Sequence, residues 1–311
     1  MTKIATTDLD VFPLCLGGNV FGWTADEEQS LAVLDAYADA GGNFIDTADV
    51  YSAWVPGNTG GDSEKIIGHW LARRGRRDDI VIATKVGMAP DLDNLAPETI
   101  RTAAEASLRR LGVDHIDLYY AHKDDPGTPL EETLAAFDAL VREGKVRHIA
   151  ASNYTAPRLA EALKVSEREG LARYAALQPN YNLVDRDAFE GELADLCARE
   201  DISVMPYYGL AKGFLTGKYR PGSPSGDSPR AEGAQAYLDD RGIVVLGALD
   251  EVAAAHDTTV ASVALAWLLA QPTVVASIAS ARNLQQLAGL LPVAELRLTD
   301  DEVARLTRAA A

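Results

Sequence analysis

Four side chains that could carry acid–base chemistry lie near the ends of apolar segments: Asp46, Tyr51, Lys85 and His122. The first two belong to NFIDTADVYS (43–52), which begins like a buried strand and then presents a carboxylate and a phenol. Burying a charge is costly unless a partner compensates it. Asp46 and Tyr51 therefore either reach the surface or share a cleft with partners.

The types of these residues indicate proton transfer to a carbonyl oxygen. A free phenol has a pKa of about 10, and an ammonium such as that of Lys85 lowers this pKa by stabilising the phenolate. Asp46 would hold the lysine, and His122 would orient a substrate carbonyl. Tyr51 could then protonate the oxygen while another group attacks the carbon. Since no nucleophilic side chain stands beside an obvious base, we expect the attacker to be a cofactor hydride.

The composition of the chain limits the classes of function. The 311 residues are 47% hydrophobic, with a formal net charge of −17 and a pI near 4.7. This acidity argues against a nucleic-acid partner, although a small anion could bind in a local basic pocket. The N-terminal stretch MTKIATTDLDVFP has no apolar core of a signal peptide, and the longest apolar run, 260–270, is too short to cross a bilayer. We therefore expect neither a secretory signal nor a membrane partner.

The chain has only two cysteines, Cys15 and Cys197, and both have apolar neighbours. Two buried thiols are typical of a reducing compartment, so we expect a cytoplasmic protein. Neither cysteine belongs to a CxxC motif or to a Cys/His cluster, and we expect no metal. The oligomeric state has no signal in the sequence.

Short apolar runs alternate with helical patterns along the chain. Such runs are typical of parallel strands that are buried on both faces. The eight predicted strands are VFPLCLG (11–17), NFIDTA (43–48), IVIATKVG (80–87), HIDLYYAH (115–122), VRHIAASN (146–153), YAALQPNYN (174–182), ISVMPYYG (202–209) and VVASIAS (274–280).

Helical patterns fill the intervals, with acids or proline at most of their starts and glycine after many of their ends. The predicted helices cover 26–41, 63–75, 97–112, 129–144, 156–170, 187–200, approximately 240–256 and 259–271, and the short C-terminal segment 299–311. The Gly/Pro/Ser-rich segment 217–233, after the seventh strand, is predicted to be a long loop.

Eight strand–helix units predict a (β/α)8 TIM barrel, an α/β fold that forms a single domain over residues 1–311. A doubly wound sheet is the alternative, but no GxGxxG motif opens a helix after any strand. The active site of a TIM barrel lies at the C-terminal ends of its strands. Asp46, Lys85 and His122 lie near the ends of consecutive predicted strands and Tyr51 follows the first of these, so we expect the four side chains to meet at one mouth.

The sequence resembles the aldo-keto reductase superfamily over nearly its whole length. The segments that carry the resemblance are GGNFIDTADVYS, IATKVG, DLYYAHKDDP, ASNYTAPRL, LQPNYN, MPYYGLAKGFLTGKY and IASARNLQQL. The stretch from FGWTADEEQS to NFIDTADVYS is similar to the bacterial branch related to potassium-channel β subunits. The resemblance implies an oxidoreductase that reduces an aldehyde or ketone reversibly, with Asp46, Tyr51, Lys85 and His122 as its catalytic tetrad and Tyr51 as the general acid and base.

The resemblance also implies a site for NADP(H). The residues that it assigns to the cofactor are Ser152, Asn153 and Gln178 at the nicotinamide carboxamide, Tyr207 stacked on the nicotinamide ring, Leu210, Lys212, Gly213 and Lys218 along the pyrophosphate, Ser280, Arg282 and Gln286 at the adenosine end, and Gly18, Asn19 and Asp46 as further contacts. A guanidinium suits a 2′-phosphate, so Arg282 favours NADP(H) over NAD(H).

Some positions differ from the family pattern. Gly289 and Leu290 stand where relatives often have Glu and Asn, which leaves the strictness of the NADPH preference open. Tyr208 presents a ring where relatives have a hydroxyl. Trp23 and Trp54, on the first two strand–helix loops, are either walls of the substrate pocket beside the catalytic residues or anchors that pack these loops.

Two other functions are compatible with the sequence. An NADPH-binding regulatory or interaction module, like the channel β subunits, would bind the cofactor and turn carbonyl compounds over only weakly. An unrelated barrel lyase or isomerase acting on phosphorylated substrates would bind no nicotinamide cofactor. The sequence identifies neither the aldehyde or ketone nor the physiological direction of the reaction.

Overall fold

The computed structural model describes residues 1–222 and 228–311, so residues 223–227 of the predicted loop 217–233 lie outside the described part. The strands are β1 (Thr2–Lys3), β2 (Asp10–Val11), β3 (Leu14–Gly17), β4 (Phe44–Asp46), β5 (Val81–Val86), β6 (Ile116–Ala121), β7 (Val146–Ser152), β8 (Tyr174–Gln178), β9 (Ser203–Val204) and β10 (Ser277–Ala279). The helices are α1 (Glu27–Asp39), α2 (Asp62–Arg74), α3 (Pro97–Leu111), α4 (Leu130–Arg142), α5 (Ala156–Glu169), α6 (Glu192–Arg199), α7 (Ala231–Gln235), α8 (Asp240–Ala255), α9 (Val260–Leu269), α10 (Leu284–Ala288) and α11 (Asp300–Ala309).

Strands β3 to β10 form one parallel sheet in which consecutive strands are neighbours and β10 lies beside β3. The remaining gap, between β9 and β10, is closed by backbone hydrogen bonds. The amide of Val204 donates to the carbonyl of Thr273 at 2.8 Å, and that of Ile278 donates to Pro206 at 3.2 Å. The predicted (β/α)8 TIM barrel is therefore confirmed.

The barrel wall is apolar on both faces, as the continuous hydrophobic runs predict. Successive side chains of β6 illustrate the alternation: Tyr119 packs outward among the helices, and Tyr120 packs into the barrel interior. The antiparallel ribbon β1–β2 was not predicted. Val11 of β2, with Ile4 and Leu9 of the connection between the two strands, joins the interior cluster, whereas the other ribbon residues are exposed.

All eight predicted barrel strands are shorter in the structure, β9 most of all. Pro13 separates the ribbon from β3, so the first barrel strand begins at Leu14 and not at residue 11. Strand β9 has two residues where 202–209 was predicted, since Pro206 lacks an amide donor and Tyr208 has a left-handed backbone with φ 55°. Strand β10 covers three residues of the predicted 274–280.

The predicted helices are present, most with small shifts; α6 begins at Glu192 and not at residue 187, and α7 and α10 are additions. The C-terminal helix α11 is confirmed, and it packs on α8 and α9. The Trp267 indole donates to Thr307 Oγ1 at 2.9 Å, and the His256 ring lies 2.8 Å from Glu302. Among the described residues no single helix has the length and apolar character to cross a membrane; α8 and α9 meet those criteria only together, as a pair bent by 96°.

Candidate active site

Three of the four predicted catalytic residues form one hydrogen-bonded group at the C-terminal ends of β4 and β5. Asp46 is the last residue of β4, and Lys85 lies on the neighbouring β5. The Lys85 ammonium donates to Asp46 Oδ2 at 2.6 Å, to the Thr47 carbonyl at 2.7 Å and to Tyr51 Oη at 2.9 Å. An ammonium has three N–H donors, so every donor of this fully buried lysine is used.

The opposite side of the barrel completes the environment of Asp46. Its second oxygen accepts a hydrogen bond at 2.8 Å from the side-chain amide of Gln178, at the end of β8. The Tyr51 hydroxyl lies 3.4 Å from the oxygen that also binds Lys85. A buried ion pair is retained when its remaining hydrogen-bonding capacity is satisfied, and here both carboxylate oxygens have partners.

The electrostatics of this group keep the proton on the phenol. Burial raises the pKa of Tyr51 to about 12, and this effect exceeds the opposing effect of the Lys85 ammonium. Lys85 does lower the pKa of Tyr51, as predicted, but by less than burial raises it. Burial lowers the pKa of Lys85. The interactions with Asp46 and Tyr51 outweigh this effect and raise the pKa to about 12. At neutral pH the site therefore holds a protonated phenol beside a charged amine.

His122 follows β6 and faces Tyr51 across the mouth. Its backbone amide donates to the Val86 carbonyl at 2.9 Å, and the two ring centroids are 6.2 Å apart. Burial, reinforced by the charges of Lys85 and Lys123, lowers the pKa of His122 well below its usual value. Its Nδ1 is buried and has no hydrogen-bond partner in the described part of the chain. The ring is therefore neutral, and a neutral imidazole has one nitrogen that donates and one that accepts.

The residues assigned to the nicotinamide end lie together and are linked to one another. The Tyr207 hydroxyl donates to Asn153 Oδ1 at 2.8 Å, and the Asn153 amide donates to the His122 carbonyl at 2.9 Å. The Ser152 hydroxyl donates to the Gln178 carbonyl at 2.8 Å. These bonds fix the side chains on β7, on β8 and after β9 around one cleft.

The segment assigned to the pyrophosphate has an unusual backbone. After Leu210, the consecutive residues Ala211, Lys212 and Gly213 have φ values of 46°, 57° and 99°. Two non-glycine residues in this left-handed region each cost about 1–3 kcal/mol, and such strain is concentrated at ligand sites. The ammonium groups of Lys212 and Lys218 lie 6.0 and 5.0 Å from tyrosine rings.

The ends of β10 and β3 meet closely at Ser280 and Asn19. The Ser280 hydroxyl donates to Asn19 Oδ1 at 2.6 Å. A Cβ on Gly17 would lie 2.6 Å from the Ser280 hydroxyl, and one on Gly18 would lie 2.7 Å from the Ser63 hydroxyl. Side chains at these two glycines would therefore collide with the polar groups that line this edge.

Some of the residues at the adenosine end form hydrogen bonds within the protein. Gln286 Oε1 accepts a hydrogen bond at 3.0 Å from the backbone of Arg282, so it stabilises the turn before α10. The Gly289 carbonyl accepts a hydrogen bond from Thr259 at 2.6 Å, and Leu290 is buried. The two positions that depart from the family pattern thus have structural roles here.

The aromatic residues predicted for the substrate pocket are in contact. The rings of Trp23 and Trp54 form an edge-to-face pair with centroids 5.5 Å apart, and Trp54 is 6.2 Å from Tyr51. The side chains of Trp54 and Tyr208 are 47% and 40% exposed. Large exposed rings beside a buried polar group are unusual unless they serve a binding surface.

Arg230 is near the predicted site but was not among the predicted site residues. It comes from the segment 217–233 and lies over the ring of Trp23, with 5.2 Å between its guanidinium carbon and the ring centroid. Arg220 of the same segment is bound to Asp250, whereas Arg230 forms no ion pair within the described residues. An arginine within a Gly/Pro/Ser-rich segment could have indicated a binding residue. Its position over the mouth could not be predicted, because it depends on how the long loop folds.

The comparisons with known proteins agree with this geometry. The model of the Aldo/keto reductase family matches residues 13–311. The chain belongs to the aldo/keto reductase family.

Several relatives match over most of their length. An aldo-keto reductase named str7 from Strobilurus tenacellus is 34% identical, over 93% of this chain and 83% of its own. A probable voltage-gated potassium channel subunit beta from Arabidopsis thaliana is 32% identical, over 92% and 88%. The aldo-keto reductase yakc [NADP(+)] from Schizosaccharomyces pombe is 30% identical, over 95% and 86%. The family and its relation to the channel subunits are therefore confirmed.

Proposed function

We propose that this protein is an NADPH-dependent oxidoreductase that reduces an aldehyde or ketone to an alcohol, reversibly. The observation that carries the proposal is the hydrogen-bonded Asp46–Lys85–Tyr51 group beside a neutral His122, in which Asp46 and Lys85 are buried and Tyr51 is partly exposed. It places a protonated phenol at the mouth of the barrel and provides a fixed cation that can stabilise the phenolate left after proton transfer.

Each residue has a separate task in the proposed reaction. His122 donates a hydrogen bond to the carbonyl oxygen and orients it. NADPH, when bound, supplies the hydride to the carbonyl carbon. Tyr51 gives its proton to the oxygen, and Lys85, held by Asp46, stabilises the resulting phenolate. In the reverse direction the phenolate takes the proton of the alcohol.

Four cations support a cofactor with phosphate groups: Lys212, Lys218, Arg230 and Arg282. None of the four forms an ion pair in the parts of the chain that the structure describes. In a chain of net charge −17, such cations suit a local anion site. The strained backbone at 211–213 is a second feature that fits phosphate binding. The printed name of one relative includes NADP(+), which agrees with this cofactor.

Titration with NADPH and with NADH, followed by tryptophan fluorescence, tests the cofactor. Trp23 and Trp54 at the mouth should be quenched. We expect NADPH to bind at least about tenfold more tightly than NADH, because a charge-assisted hydrogen bond contributes about 1.5–3 kcal/mol. Arg282→Ala should remove most of this difference, whereas Arg199→Ala, at an exposed arginine beside Glu200, should not. Binding of neither cofactor would reject the proposal.

We further propose that the substrates are aromatic or bulky apolar carbonyl compounds. The rings of Trp23, Trp54 and Tyr51 form an apolar wall that ends at the phenol hydroxyl. Aromatic pairs contribute about 0.5–1.5 kcal/mol beyond their burial. We expect Trp54→Ala to lower kcat/KM about tenfold for benzaldehydes and far less for short alkyl aldehydes. Ile243→Ala, an exposed change on α8, is the control. Equal losses for both substrate classes would contradict the aromatic preference.

A second candidate is an NADPH-binding interaction module, because one relative is named as a potassium channel subunit. The two proposals differ in the fate of the bound cofactor. An enzyme consumes NADPH in multiple turnovers with some member of a carbonyl panel, whereas a binding module retains it. Steady-state oxidation of NADPH, followed by the absorbance of the reduced nicotinamide, distinguishes them.

A further inference from the structure

Asp49 lies in the loop between Asp46 and Tyr51 and is not used by the proposed reaction. The residue is 4% exposed, and both of its carboxylate oxygens are buried without a hydrogen-bond partner among the described residues. A buried carboxylate without partners strongly disfavours its charged form. The loop that carries the proposed acid therefore also carries an isolated carboxyl group.

The charged and titratable groups around Asp49 come from four elements. Glu64 lies on α2, Arg110 on α3, Lys85 on β5 and Tyr119 on β6. Arg110 is already bound to the Glu64 carboxylate, with 2.6 Å between Nε and Oε2. Lys85 has used all three donors on other acceptors. Neither cation of this cluster forms a hydrogen bond with Asp49 among the described residues, and Glu64 repels a second negative charge.

These surroundings determine the protonation of Asp49. Burial, with a further contribution from Glu64, raises its pKa from 3.8 to about 7, although Arg110 and Lys85 oppose the change. The group is therefore neutral in mildly acidic solution and becomes charged near neutrality, without a counter-ion in contact.

The backbone around Asp49 connects it to the site. The Thr47 amide donates to the Ala83 carbonyl at 2.8 Å, and the Asp49 amide donates to the Lys85 carbonyl at 3.3 Å. These bonds extend the β4–β5 ladder into the loop. A Cβ on Gly60 would lie 2.7 Å from the Asp49 carbonyl, so the loop is closely packed from the other side. A charged Asp49 could gain hydrogen-bond partners only if this loop moved or the pair between Glu64 and Arg110 rearranged.

We propose that Asp49 is a positioning residue, which in its neutral form lets the loop 47–52 lie on β5 and in its ionised form moves Tyr51 away from Lys85. On ionisation the proton goes to solvent, and no other group changes its charge. The effect on turnover rests on the proposed function, but the effect on the loop and on stability does not.

The proposal fixes the direction of the pH dependence of folding. Between pH 3.8 and about 7 the folded protein keeps a proton on Asp49 that the unfolded chain releases. The ionisation of Asp49 should therefore raise the unfolding equilibrium constant by up to about tenfold per pH unit in this interval. Above the interval its effect should level off. Stability from the neutral carboxyl is thus present below pH 3.8 and is lost as the pH rises toward 7.

The test compares the wild-type protein with Asp49→Asn, and with Asp93→Asn as a control at an exposed loop aspartate. Infrared difference spectra should show a protonated carboxyl that disappears with a midpoint near pH 7 in the wild type and in the control, and is absent from Asp49→Asn. Trp54, whose ring is 6.2 Å from Tyr51, should change its emission with the same midpoint unless Asp49 is replaced. Should Asp49→Asn not fold, Asp49→Leu serves, because an apolar side chain of similar size can replace an unpaired polar group.

With NADPH and a carbonyl substrate, wild-type kcat should fall about tenfold between pH 6 and pH 8, following the single ionisation at Asp49, and Asp49→Asn should remain near its pH 6 value. An emission change that Asp49→Asn leaves in place would overturn the positioning role, as would a wild-type protein without the protonated carboxyl at pH 6. If no turnover is found but the emission and infrared changes depend on Asp49, the positioning role is supported and the proposed function fails.

Discussion

Replacing Tyr51 with phenylalanine is expected to lower kcat by about 10²–10⁴-fold, the contribution usual for a positioned general acid, and to leave NADPH affinity nearly unchanged. Only the hydroxyl is removed, and the ring can still pack against Trp54 and His122. The loss should therefore appear in kcat and not in cofactor titrations. Steady-state kinetics with the best carbonyl substrate, beside the fluorescence titration, measure both quantities.

The matched control for this variant is Tyr119→Phe. Tyr119 is also a buried tyrosine near the site strands, and its hydroxyl has no partner within the described part of the chain. Removing that hydroxyl should leave kcat within about twofold, because an unpaired group contributes no hydrogen bond to lose. Near-wild-type turnover in Tyr51→Phe, or an equal loss in Tyr119→Phe, would show that Tyr51 is not the acid.

The raised pKa of Tyr51 separates two causes of alkaline inactivation. With a pKa of about 12, the phenol keeps its proton throughout the neutral range. Loss of this proton can limit carbonyl reduction only near pH 12. A fall in kcat near pH 7 would therefore come from another group. Asp49, whose pKa burial raises to about 7, is the group that the Asp49→Asn variant tests.

The convergence of the catalytic candidates was predictable from local sequence. Asp46 and Lys85 lie near the ends of consecutive apolar runs, and parallel neighbouring strands bring their C-terminal ends to one edge. The hydrogen bond between Asp46 and Gln178 spans the barrel and joins residues 132 positions apart. Nothing in the local pattern of either residue shows which amide will face which carboxylate.

Two other features depend on packing that sequence patterns do not contain. Asp49 belongs to the same short stretch as Asp46 and Tyr51, but its isolation results from helices α2 and α3 closing over the loop. Arg230 lies in a segment without periodicity, and the position of a loop residue is set by tertiary contacts. The pKa of Tyr51 shows the same limit, because the effect of a neighbouring lysine was predictable and the larger effect of burial was not.

Replacing Lys85 with methionine is expected to abolish measurable turnover and to destabilise the fold. The change leaves the Asp46 carboxylate buried without its counter-charge, and breaking a buried pair in this way costs about 3–5 kcal/mol. Lys65→Met is the control, because the pair that Lys65 forms with Asp62 is exposed and should contribute little. Urea unfolding at pH 7 measures the difference.

The pH dependence of the Lys85→Met variant identifies the cause of the loss. In the wild type the raised pKa of Lys85 gives stability that is complete below 10.5 and is lost as the pH rises through about 12. In the variant the unpaired Asp46 should take up a proton on folding, so the loss of stability relative to the wild type should shrink as the pH falls below neutrality.

Adding Asp46→Asn to Lys85→Met should restore part of the stability at pH 7, because the new side chain is neutral and can still accept the hydrogen bond from Gln178. That double variant should remain inactive. A Lys85→Met protein as stable as the wild type would mean that the ion pair contributes nothing to the fold and that the positions of Asp46 and Tyr51 are set by packing alone. A deficit that does not change with pH would mean that the loss does not come from an unpaired carboxylate at Asp46.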